Sequence, residues 1–265
     1  MVLKAFKAPV APLFVPANRP DRFPKAAASA ADAIILDLED AVADAEKNDA
    51  RAALNTNFTD KPVIVRINAA GTIAHMDDIR ALAHLQVAAI MVPKAEREAD
   101  LAHLAASFPI IALIETVQGV ANARALSRCG AITQIAFGSV DYAADLGCAH
   151  ERVALAAARA EIIFASRLAG LPAPLDGVTT DVIDMQTTVA DAVHAAAIGF
   201  GGKLAIHPHQ VGSILSSFYP DEAQLEWATA ILASGDGVTT VNGEMVDEPV
   251  RARARSIVAR SSTPL

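Results

Sequence analysis

A (β/α)8 TIM barrel is the fold class that the sequence predicts, on two observations. Eight short apolar runs of strand length recur between residues 12 and 208 of a 265-residue chain, and alanine-rich segments at helical period lie between them. Continuously apolar strands joined by helical crossovers are parallel and covered on both faces, and about eight such units over roughly 210 residues suit a closed barrel. An open doubly wound sheet is the competing fold. It wants a glycine-rich phosphate loop after the first strand, and PLFVPANRPDRF (12–23) has no glycine.

In order, the strand runs are PLFVP (12–16), AIILDL (33–38), PVIVRI (62–67), AAIMVP (88–93), PIIALIE (109–115), ITQIAFG (132–138), PAPLDGV (172–178) and GKLAIHP (202–208). The plainest helical stretches are RVALAAARAEIIFASRLAG (152–170) and TVADAVHAAAIGF (188–200), which carries a glycine at its close, as a helix end should. Beyond residue 219 the pattern changes to a helix (222–234), a hairpin around Asn242-Gly243 and a final helix (248–262). The expected division is a barrel domain, 1–219, and a C-terminal helix-hairpin-helix appendage, 220–265. The appendage is too short to expect a core of its own, so it should dock on the barrel or on a neighbouring subunit.

A hydrophobic content of 53% supplies a sizeable core, while a net charge of −8 argues against nucleic-acid binding, which needs clustered Lys and Arg. No apolar run approaches the roughly 20 residues of a membrane helix. Prolines occupy the first 20 residues where a secretory apolar region would lie, so a cytoplasmic protein with no membrane partner is expected. Cys129 and Cys148 have neither metal-ligand spacing nor the number for a disulfide framework and receive no role. An anionic substrate would have to be met by local cations or a metal.

Barrels of this type gather chemistry at the C-terminal ends of their strands. Those ends deliver Asn18 and Arg19, then Asp37, Glu39 and Asp40 (LDLED), Arg66 and Asn68, Lys94, Glu115, Ser139 and Asp141, Asp176, and His207. Glu115 ends the apolar run IIALI, where a carboxylate is costly unless a positive group meets it. Glu115 and Asp141 close consecutive strands, about 4.8 Å apart at the backbone, so both can reach one point. Two carboxylates that close repel unless a cation sits between them, and a donor set of hard oxygen favours Mg²⁺ or Mn²⁺ over zinc. The other reading is that either acid pairs with a rim cation or caps the next helix.

Arg66 suits a carboxylate or a developing enolate oxygen, and equally a buried salt bridge to the LDLED acids. Asp37 and Glu39, on one side of their strand, suit a supporting role toward Arg66 or toward metal-bound water. Arg19, Arg22 and Lys25 suit phosphates or a solvated helix start. His207 reads more readily as a structural residue than as a ligand. Histidines 75, 84, 103, 150 and 194 sit in predicted helices or loops without evident partners.

The runs PLFVPANRPDRFPKA, AIILDLEDAV, VIVRIN, MVPKAE, ALIETVQGV, IAFGSVDYAADLG, GKLAIHPHQV and NGEMVDEPV together resemble the citrate lyase beta-subunit-like family, in order and over nearly the whole chain. That family includes malyl-CoA and citramalyl-CoA lyases. The resemblance implies a (β/α)8 barrel, Mg²⁺, an acyl-CoA substrate with an α-keto acid partner, and a homotrimer or a pair of trimers. It also implies metal ligands Glu115 and Asp141, Arg66 on the keto-acid carboxylate or enolate, and Asp37, Glu39 and Asp40 behind them. Asp247 resembles the proton donor brought by a neighbouring subunit's tail, although an Asp ahead of a helix beginning at Pro249 has a structural reading too. Arg19, Lys25 and Ser139 are the remaining substrate-side candidates. The tail is short beside those of the malyl-CoA lyases. The expected reaction is carbon–carbon cleavage; the rivals are a thioesterase on the same metal site, a phosphoenolpyruvate-type enzyme and a non-catalytic multienzyme or acyl-carrier component.

Overall fold

The computed structural model describes residues 6–235, 237–241 and 243–261, without the side chain of residue 244. Its order is β1 (Pro12–Pro16), α1 (Phe23–Ala27), β2 (Ala33–Asp37), α2 (Lys47–Ala53), β3 (Val63–Arg66), α3 (Ile73–Leu82), β4 (Ala89–Val92), α4 (Glu98–Ala102) and β5 (Ile110–Ile114). There follow α5 (Val117–Ala121), α6 (Ala123–Arg128), β6 (Gln134–Phe137), α7 (Ser139–Leu146), α8 (Arg152–Leu168), β7 (Leu175–Asp176), α9 (Met185–Ile198), β8 (Gly202–Lys203) and α10 (Pro208–Phe218). The eight strands pair in sequence order, every pair parallel, which is the predicted barrel.

Closure comes from β8 meeting β1. Lys203 N–H donates to Val10 O at 2.8 Å, Ala205 N–H to Pro12 O at 3.0 Å and Phe14 N–H to Ala205 O at 2.9 Å. Gly202 permits this approach, because a Cβ there would stand 2.3 Å from Val10 O. β7 is shorter than the run that announced it, since Pro172 and Pro174 have no N–H for the ladder.

The strands are apolar throughout because alternate side chains face two cores. Ala33, Ile35, Ile64, Ala89, Met91, Ile111, Leu113, Ala136, Leu175 and Leu204 fill the barrel interior. Their neighbours, such as Ile34, Leu36, Val63, Val65 and Ile114, join the larger core under the helices. α9 ends at Gly199 in the left-handed region (φ 115°), where glycine alone avoids a Cβ penalty.

The appendage comprises α11 (Glu222–Ala233), the antiparallel pair β9 (Thr239–Val241) and β10 (Glu244–Val246), and α12 (Glu248–Ser261). The expected hairpin forms; Asn242 at its tip lies outside the described residues, as does residue 262 of the predicted last helix. In contrast to the expectation, this segment has a small apolar cluster of its own: Ala228, Ile231, Val246, Ala254 and Ile257. α11 and α12 pack chiefly on each other.

Replacing Gly202 with Ala should open the β8–β1 seam and cost about 3 kcal/mol, the upper range for overpacking a filled core. Urea denaturation of the variant against the parent measures it.

Candidate active site

Side-chain parity decides which strand-end residues enter the barrel mouth. Ile35, Ile64 and Leu113 belong to the interior cluster, and residues two positions further on share their face. Those residues are Asp37, Arg66 and Glu115.

Asp37 and Arg66 stand opposite one another in the β2–β3 register. The guanidinium closes on the carboxylate in two parallel hydrogen bonds, Nε to Oδ1 at 2.7 Å and Nη2 to Oδ2 at 2.6 Å. Asp37 also accepts from the backbone N–H groups of Glu39 (2.9 Å) and Ala41 (3.2 Å). Arg66 Nη1 lies 3.1 Å from Glu39 Oε2 and 3.7 Å from the exposed Asp40, and the guanidinium stacks 4.9 Å from the Phe14 ring centroid. Burial works against the arginine's charge, but the hydrogen bonds and charge of Asp37, followed by Glu39 and Glu115, hold its pKa above the ordinary value. Asp37 takes two of the five guanidinium N–H donors, which leaves those on Nη1 and one on Nη2 for neighbouring acids or a ligand.

Glu115, next after β5, is buried. Its Oε1 accepts the Lys94 backbone N–H at 2.9 Å, and Lys94 Nζ lies 3.9 Å from the same oxygen while donating to Glu39 Oε1 at 2.6 Å. Oε2 lies along Gly138, where a Cβ would be 2.4 Å away. Burial, then the charges of Glu39 and Asp141, push the Glu115 carboxyl up to about 8, against the pull of Lys94 and Arg66. Burial likewise raises Glu39, opposed by Arg66 and Lys94.

Asp141 is in the first turn of α7 rather than at a strand end, and it does not cap that helix, whose N-cap is Gly138. Its side chain has no hydrogen bond or ion pair among the described residues. One buried carboxylate that resists ionisation, beside a second with no partner, fits a hard divalent cation, which takes one or two protein carboxylates and fills its other positions with water or substrate oxygens. Among the described residues, no group of three or more His, Cys, Asp and Glu is placed to hold a metal ion, so an ion here would rest on the Glu115–Asp141 pair.

The other candidates are dispersed. Ser139 is buried at the start of α7, with its Oγ 2.9 Å from His150 Nε2. Arg19 is tied to Asp21 in a two-point pair at 2.9 and 2.8 Å, while Lys25 is exposed on α1. Asp247 caps α12, its Oδ1 accepting from Val250 N–H at 3.2 Å, and among the described residues no hydrogen bond or ion pair joins its side chain to the rim. His207 caps α10 by accepting from His209 N–H at 3.3 Å.

Asp176, read from the sequence as a rim residue, is instead fully buried toward the helices. It binds Arg159 at 2.9 and 3.3 Å and Lys203 at 3.2 Å, because its inward neighbour is Leu175. Three histidines read as partnerless also have partners: His150 meets Ser139, His75 Nδ1 lies 2.9 Å from Asn68 O, and His103 Nδ1 lies 3.3 Å from Ala99 O. The His150 and His75 contacts join a helix to a loop and have no periodic signal in the sequence, whereas His103 reaches back one turn to Ala99 of α4.

A parallel eight-stranded barrel with a fixed arginine and a crowd of acids at its C-terminal mouth belongs to the class in which strand ends carry the chemistry. The chain belongs to the HpcH/HpaI aldolase/citrate lyase family, a family of aldolase and lyase enzymes, whose model matches residues 11–208. It is 38% identical over 260 residues to a citrate lyase subunit beta-like protein of Mycobacterium tuberculosis, covering 94% of each chain. It is 34% identical over 266 residues to a (3S)-malyl-CoA thioesterase of Cereibacter sphaeroides, covering 94% of this chain and 93% of the relative. The crystal structure of CitE from Mycobacterium tuberculosis in complex with magnesium, acetoacetate and coenzyme A superposes with a TM-score of 0.86 at 37% identity, over 97% of this chain and 99% of that one. No helix among the described residues is long and apolar enough to cross a membrane.

The raised Glu115 carboxyl has a consequence for stability. Its folded pKa of about 8 exceeds the ordinary 4.5, so the native state keeps a proton that the unfolded chain releases. Its contribution is complete below the ordinary value and is lost as pH climbs to about 8. In chelator, Glu115→Gln should therefore match the parent in urea denaturation near the lower limit and exceed it near the upper one.

Proposed function

We propose that the chain is a Mg²⁺-dependent carbon–carbon lyase that reversibly cleaves a 3-hydroxy-3-carboxy acyl-CoA, such as malyl-, citramalyl- or citryl-CoA, into an acyl-CoA and an α-keto acid. The observation that carries the reading is the buried Glu115 beside the unpartnered Asp141, at the mouth where Asp37 fixes Arg66. Glu115 and Asp141 are the residues that would hold the ion, with Mn²⁺ as the alternative. When bound, it supplies Lewis-acid polarisation of substrate oxygens.

The hydroxyl proton passes to solvent water, the carbinol carbon becomes the keto-acid carbonyl, and the broken bond's electron pair passes to the thioester as an enolate, whose carbon then takes a proton. Arg66 donates its free N–H groups to oxygen that gains charge, a contribution of about 2.7–4 kcal/mol per donor in other enzymes. Asp37, Glu39 and Asp40 hold the guanidinium in place so that little reorganisation accompanies the reaction. Ser139, Arg19 and Lys25 serve the substrate side, the last two toward CoA phosphates. Asp247 gives the proton to the enolate carbon from a neighbouring copy's appendage in a homotrimer or a pair of trimers, in a cytoplasmic enzyme.

The second reading, a thioesterase at the same site, is favoured by the relative named (3S)-malyl-CoA thioesterase. Incubation with Mg²⁺ and each of the three thioesters, followed by mass analysis, separates the two. A lyase yields acetyl-CoA with glyoxylate, pyruvate or oxaloacetate; a thioesterase yields free CoA and the intact hydroxy acid. No turnover of any of them would leave the phosphoenolpyruvate-type enzyme or a non-catalytic multienzyme or acyl-carrier component. Glu115→Ala should abolish the metal-dependent reaction, and a parental rate in that variant would overturn the assignment.

A further inference from the structure

Lys94 is the one non-glycine residue at positive φ (49°) among the described residues. A left-handed conformation costs an L-residue about 1–2 kcal/mol, and such strain gathers where the surrounding structure uses it. Here it follows β4 and Pro93 at the barrel mouth. The backbone then divides its donors: Lys94 N–H reaches Glu115 Oε1 at 2.9 Å, and Ala95 N–H returns to Leu113 O of β5 at 3.1 Å.

The two oxygens of Glu115 thereby become unequal. Oε1 is clamped from the β4 side, and Oε2 is turned along Gly138 on the β6 side, three residues before Asp141. Gly138 leaves no room for a side chain, so the carboxylate is gripped between a donor on one strand end and a bare backbone on the next. The Lys94 ammonium bonds Glu39 Oε1 at 2.6 Å and lies farther, 3.9 Å, from Glu115 Oε1.

We propose that Lys94 is a positioning residue whose left-handed backbone turns the chain so that its own N–H stays on Glu115 while Ala95 N–H returns to Leu113 O, and so presents the other carboxylate oxygen toward Asp141 for the cation. This deepens the proposed metal site and rests on it. The side chain is incidental to this role; what matters is the capacity to hold positive φ.

Magnesium titration calorimetry on Lys94→Gly, Lys94→Asn and Lys94→Val separates backbone from charge, because all three lose the ammonium equally. Gly and Asn hold the left-handed conformation, and β-branched Val does not. The Gly and Asn variants should bind Mg²⁺ about tenfold more tightly than the Val variant, a difference of about 1.4 kcal/mol. Thermal melts identify folded protein, and Lys94→Ala, expected to bind more weakly than Lys94→Gly, replaces Val if that variant fails to fold. Equal affinities among variants that all bind Mg²⁺ would overturn the role of Lys94 alone. Absence of binding in the parent and every variant would overturn the metal site and this role together.

Discussion

The two-point bond between Asp37 and Arg66 is the contact on which the barrel mouth depends. Parallel register sets the two residues side by side, and the fork geometry of guanidinium and carboxylate fixes their planes. A buried guanidinium left without its acid would cost several kcal/mol, so neither partner is free to drift. Glu39 joins the same cation from the loop after β2 and in turn engages Lys94, which reaches Glu115. The mouth is a chain of alternating charges running from β2 to β5.

That chain ends unbalanced. Glu115 is as buried as Asp37 but receives a backbone N–H and a distant ammonium where Asp37 receives a full guanidinium. Desolvation therefore dominates at Glu115, while Asp141 adds like charge from the first turn of α7. The opposite situation holds at Asp176, where Arg159 and Lys203 surround one acid beneath the helices. One cluster is saturated and structural; the other retains the capacity to take up positive charge.

The legible parts of the site were those where a charge interrupts a local apolar pattern. Arg66 and Glu115 stand out because each follows residues that only a buried strand explains. Asp176 has the same signature and a different role, since an offset of one residue turns a strand-end side chain from the mouth to the helix layer. The Ser139–His150 contact spans a turn between two helices, and the Lys94 conformation belongs to a single dihedral. Neither leaves a periodic trace.

By itself the sequence determined the barrel, through eight apolar runs at the right separations, and placed the acids and Arg66 at one end of it. These are properties of hydrophobic period and strand order, which are local and written residue by residue. The tertiary structure alone decided which acids meet a cation within the chain, which stand unpaired, and that the C-terminal helices pack on each other. Those outcomes depend on side-chain direction, backbone handedness and the closing of β8 on β1, where groups far apart in sequence compete for the same few partners.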